Sequence, residues 1–193
     1  MQRIATTVVA LVGPDAADRA REVGTAANVL AVVPDDEAPL DRAAAAWKGV
    51  ASTSRTYAVH DADPLAAVAA DWVALYDGTG KRGELETSVA ETVARWRART
   101  IELPDYYLVL DAEDMPPTLR HWYLGVLRDA APARVVPVTG TAGAVDRALT
   151  RLPAGRWWPD LPDLLSGIDH VVPDAVATTT TSTQEEDSGL LLR

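Results

Sequence analysis

Acidic side chains close four apolar runs of this chain, and carboxylates at the ends of buried strands are suited to holding a divalent cation. Thr6 to Val12 leads into Gly13-Pro14-Asp15, Asn28 to Val33 into Pro34-Asp35-Asp36-Glu37, and Thr56 to His60 into Asp61-Ala62-Asp63. Tyr106 to Leu110 leads into Asp111-Ala112-Glu113-Asp114. Magnesium takes hard oxygen ligands and usually a substrate phosphate beside them. Asp111, Asp61, Glu113 and Asp114 are therefore the candidate metal ligands of an Mg-dependent enzyme or nucleotide-binding protein. A competing explanation is capping, because each of these loops opens a helix, where aspartate is a favoured N-cap and proline follows it well. Asp63-Pro64 fits capping directly, and Asp15 and Asp36 fit it loosely. Asp111 and Asp61 come before the capping position, immediately at a strand end, which sets them apart.

Other chemistries are poorly represented. There is no cysteine, so a disulfide framework, a thiolate zinc site and a cysteine nucleophile are excluded. His60, His121 and His170 make no metal-ligand spacing with one another. His121 sits in a helical apolar stripe with Leu119, Trp122, Tyr123 and Val126, which predicts packing. No serine stands in a nucleophile-elbow context. Gly78-Thr79-Gly80-Lys81-Arg82-Gly83 has the composition of a phosphate loop but the wrong spacing and no strand before it, so it reads as a turn between helices.

The elements that must carry these residues follow from periodicity. Five short apolar, β-branched runs alternate with alanine-rich helical stretches, the pattern of an α/β fold with a mainly parallel sheet. Beyond the four strands above, Arg134 to Val138 is the fifth, and the pattern allows a sixth over His170 to Val172. Helices are expected near 16–24, 39–50, 64–76, 84–99, 117–130 and 142–152. The fold class is a single doubly wound α/β domain, Rossmann-like or flavodoxin-like, over residues 1–176. In such sheets ligands bind at the carboxyl ends of the strands.

Residues 177–193 change composition to threonine and acidic residues with almost nothing to bury, which reads as a flexible, disordered tail. It ends in Leu190-Leu191-Leu192-Arg193, a short apolar peptide that a partner's groove or sheet edge can accept. Trp157-Trp158, in a proline-rich segment, either folds over the sheet edge or forms a partner patch, since tryptophan is enriched at interface hot spots.

The span Asp105 to Pro116, with Val136-Pro137-Val138-Thr139-Gly140 after it, resembles the phosphoacceptor region of bacterial response-regulator receiver domains. It departs from that pattern in the position of Met115-Pro116, in a first strand without paired acids, and in the absence of a lysine before Pro173. The resemblance covers under half the chain and stands as an analogy of strand pattern.

Acidic residues outnumber basic ones 28 to 18, a net charge of -10, which disfavours nucleic acid and anionic membrane surfaces. Arg95, Arg97 and Arg99 form only a short basic run. The apolar start at Ile4 reads as a first strand and not as a signal peptide. No apolar stretch approaches the roughly 20 residues of a membrane helix, so a soluble, cytoplasmic protein is expected. Together these features point to a non-catalytic interaction or regulatory domain without a cofactor, whose partner is another protein. Magnesium-dependent or nucleotide chemistry at the strand ends is the alternative.

Overall fold

The computed structural model describes residues 6–35 and 38–173. Its centre is one parallel sheet of five strands: β1 (Thr7–Val12), β2 (Val29–Val32), β3 (Tyr57–His60), β4 (Tyr106–Leu110) and β5 (Val135–Val138). Parallel strands need crossover connections, which are helical here. They are α1 (Ala16–Val23), α2 (Pro39–Val50), α3 (Ala66–Tyr76) and α4 (Arg82–Arg97). After β4, α5 (Pro117–His121) runs through a π-helical segment (Trp122–Leu127) into α6 (Arg128–Ala130). α7 (Ala142–Leu149) and the short α8 (Leu161–Leu165) complete the set. β4 is buried along its whole length, as its unbroken apolar sequence predicts.

The doubly wound class is as expected, whereas the strand order β2-β3-β1-β4-β5 matches neither of the two named variants. The chain leaves β1 for the edge strand β2, returns to insert β3 between them, and then crosses β1 to reach β4. Because crossovers are right-handed, that reversal puts α1 on one face of the sheet and the helices after β2, β3 and β4 on the other. The core records the division. Val9, Leu11, Leu108 and Leu110 pack with Ala20 and Val23 of α1 and with Val145 and Leu149 of α7. Alternate residues Ala10, Val12, Tyr107 and Val109 pack with α3, α4 and the π segment. Val8 and Ala58 meet Val50 of α2 on that same side.

Several local expectations shift. α4 begins at Arg82 because the Glu84 carboxylate accepts the Lys81 N–H at 2.8 Å, giving the helix a start within the glycine-rich turn. The segment 168–173 is not a sixth strand. Ile168–His170 is a 3-10 turn, and two of its carbonyls are taken by side chains of α3, Ile168 by Trp72 Nε1 and Asp169 by the Tyr76 hydroxyl. Among the described residues no helix is long and apolar enough to cross a membrane. The tail with Leu190, Leu191 and Leu192, and Asp36, lie outside the described residues.

Candidate functional site

Doubly wound sheets open a crevice where neighbouring strands send their helices to opposite faces. β1 feeds α1 on one face, while both its neighbours, β3 and β4, feed the other, so crevices flank β1 on both sides. Two clefts occupy these places. The one toward β3, about 280 Å³, is walled by Gly13, Asp61, Asp63 and Tyr123 and by Arg42 of α2. The one toward β4, about 250 Å³, is walled by Pro14, Asp114, Met115, Pro116 and Leu119. Gly13 and Tyr123 belong to both.

Local sequence explains the walls. Gly13 has φ +113°, and a Cβ there would stand 2.5 Å from the Leu110 carbonyl oxygen, so only glycine lets the β1 loop lie this close to β4. Tyr123 projects from the π segment, whose extra residue per turn rotates the side chains that follow, a feature often found at functional positions. Its hydroxyl donates to Asp63 Oδ2 at 2.8 Å, while Tyr107 and the Leu65 N–H donate to Oδ1 at 2.7 and 2.8 Å. Asp63 is thus not the N-cap that Asp-Pro suggests. It makes a tight turn ahead of α3 and anchors two tyrosines. Burial pushes its pKa up, opposed by these three hydrogen bonds. Burial, with the Asp63 charge second, raises both tyrosines well above the ordinary phenol value.

The candidate metal ligands are engaged separately. Asp61 Oδ2 accepts from Arg42 Nη2 at 2.6 Å; its side chain is only 7% exposed, and Oδ1 has no hydrogen-bond partner among the described residues. Asp111 Oδ1 accepts the Gly140 N–H at 2.8 Å, tying the end of β4 to the loop after β5. Asp111 is left-handed at φ 39°, and a Cβ on Gly140 would collide with its Oδ2. With β1 between them, β3 and β4 hold the two aspartate backbones about 10 Å apart or more. Glu113 and Asp114 are exposed on a 3-10 turn. Among the described residues no three His, Cys, Asp or Glu side chains are grouped to hold a metal ion. His60, the last residue of β3, is buried, and desolvation lowers its pKa to about 4, offset in part by the backbone of Ala62. His121 stacks on Trp72 with ring centres 6.2 Å apart, as packing predicts.

The tryptophan pair divides. Trp158 is 8% exposed, donates to the Pro104 carbonyl at 2.8 Å and meets Tyr107 edge-on, closing the core as a lid. Trp157 is 42% exposed and lies 4.2 Å from the guanidinium carbon of buried Arg134, which also stacks on Tyr106. Arg134 in turn donates to the carbonyls of Gly155 and Arg156.

Sequence reasoning singled out Asp61 but missed Arg42 and Tyr123, which reach the crevice from elements distant in the chain. Arg42 had one signal, a basic residue in the first turn of a helix, where the macrodipole favours acids. Comparison with known proteins adds no name to this crevice: no family model, curated protein or solved structure matches the chain.

Proposed function

We propose that this is a non-catalytic regulatory domain that binds a small polar ligand in the crevice at the carboxyl end of β1. The observation that carries the reading is Asp61. A carboxylate oxygen shut away from water without a donor costs free energy, and such atoms call for an explanation in a ligand, an ion or an ordered water. Asp61 lines the β3-side cleft together with Arg42, so a ligand seated there lies next to the pair. Arg42 supports the same reading, since among the described residues only its Nη2 is engaged, leaving its other N–H groups for an acceptor. A regulatory role is favoured over catalysis because the cleft brings no nucleophile together with a base. Asp63 is occupied by three donors and His60 is not part of the walls. Partner binding through exposed Trp157 completes the proposal, as tryptophan and arginine concentrate interface energy.

Melting curves test it. Nucleoside monophosphates, amino acids, short amines and carboxylic acids are screened against the wild type and Arg42→Ala. A compound that raises the melting temperature of the wild type but not of the variant supports the crevice as the seat, by linkage between binding and folding. Compounds that act equally on both proteins, or no active compound at millimolar concentration, contradict it.

A further inference from the structure

Resting on that reading, we propose that the two clefts form one bipartite site for a hydrophobic α-amino acid, with its charged head on the β3 side of β1 and its side chain on the β4 side. Gly13 and Tyr123 wall both clefts, which places the two side by side at the end of β1. Their chemistry differs sharply. On the β3 side Asp61 offers an unused acceptor and Arg42 unused donors, side by side in an ion pair of 2.6 Å. A zwitterion complements that pair: its ammonium faces Asp61 and its carboxylate faces Arg42. The cleft wall also includes Ala16, Pro39 and Ala66, the first residues of α1, α2 and α3, whose amino-terminal dipoles add to the attraction for a carboxylate. Oδ1 is closed to bulk water, yet aspartate χ2 is a broad, twofold torsion. A turn of the carboxylate brings that oxygen round to the ligand's ammonium and moves Oδ2 off Arg42, whose guanidinium then takes the ligand's carboxylate instead.

On the β4 side Pro14, Met115, Pro116 and Leu119 give a largely apolar surface, to which exposed Asp114 also contributes. That wall suits an aliphatic or aromatic side chain and disfavours an acidic one, which would be buried without a partner. Phosphate is the weaker match, because Asp61 and Asp63 stand on the same wall as the single arginine. The Asp63 bond holds the Tyr123 ring as a wall common to both clefts, so Asp63 acts as a positioning residue.

Isothermal titration with L-leucine and L-phenylalanine tests the assignment, alongside 4-methylpentanoate, which lacks the ammonium, isopentylamine, which lacks the carboxylate, glycine, which lacks the side chain, and AMP. Binding of leucine or phenylalanine is expected, at least tenfold weaker for each truncated analogue. Asp61→Asn, Arg42→Lys and Leu119→Gln, each verified as folded by circular dichroism, should weaken it by a similar factor. If a carboxylate, amine or AMP binds in an Arg42-dependent way and neither amino acid does, the bipartite assignment fails while the crevice remains the seat. Binding of the amino acids that ignores all three substitutions overturns both, as does a titration in which no compound binds.

Discussion

Asp61 and Asp111 occupy equivalent places, each the first residue beyond a buried parallel strand, and they are put to opposite uses. Asp111 spends its carboxylate on a backbone N–H, clamping Gly140 so tightly that no side chain fits there. Asp61 gives one oxygen to an arginine and keeps the other unpartnered. The first arrangement is paired and structural, and the second leaves a buried acceptor unpaired, which costs stability. What separates them is topology. Both crevices flank β1, and the Asp61 side chain lines one of them, whereas Asp111 faces the loop after β5. Trp157 and Trp158 repeat the contrast, one held partly open on Arg134 and one committed to the core.

The largest effect should come from the committed tryptophan. Trp158→Ala removes a buried indole and its hydrogen bond, and is expected to cost about 3–5 kcal/mol in denaturant melts. Trp157→Ala should cost under about 2 kcal/mol, since the ring it removes is half-exposed and stacks on Arg134. Equal losses would break the contrast.

Acid should act next most strongly, through His60 beside Asp61. Its folded pKa of about 4 lies below the ordinary value of 6.5, so its contribution is fully present above about 6.5 and is lost as pH falls through about 4. The loss should reach about 3 kcal/mol near pH 4. Asp63, raised by burial, works in the other sense. Its contribution is present below the ordinary carboxylate value and is lost as pH rises through the raised one. Urea melts at pH 7 and pH 4 should show His60→Gln losing less stability than the wild type over that interval. Identical pH slopes would remove His60 from the account.

Asp111→Ala leaves the Gly140 N–H without its acceptor and should cost about 1–3 kcal/mol. Asp111→Asn keeps an oxygen acceptor and tolerates the left-handed backbone, so it should melt close to the wild type. Magnesium should shift both proteins alike. A magnesium-dependent gain confined to the wild type would reinstate Asp111 as a metal ligand.

Asp61→Asn should have the smallest effect on the fold, within about 1 kcal/mol, because the amide oxygen still accepts from the partly exposed Arg42 and the buried carboxylate charge is removed. A loss as large as that of Asp111→Ala would show Asp61 to be structural as well.

The sequence was most legible where a single segment decides the outcome. β4 reads directly from five consecutive apolar residues between Asp105 and Asp111, and the alternation of strands and helices leads to the doubly wound class. The strand order was not legible, because inserting β3 beside β1 instead of β2 buries equally apolar strands. The π segment was hidden for a similar reason, since Trp122 to Leu127 has the apolar spacing of an ordinary helix. Asp61 was visible as a strand-end acid, but its meaning depends on Arg42, nineteen positions earlier, and on Tyr123. Conversely, nothing in Asp111-Ala112-Glu113 announces that Gly140 takes the Asp111 carboxylate.

The most direct test of the crevice as the ligand seat is amide chemical-shift mapping by NMR, with the labelled protein and the same mixed panel of amino acids, amines, carboxylates and nucleoside monophosphates. The account predicts perturbations centred on Gly13, Ala62, Ala66 and Leu119, lost in Arg42→Ala. Perturbations centred on Thr139, Gly140 and Thr141, beside Asp111, would contradict it.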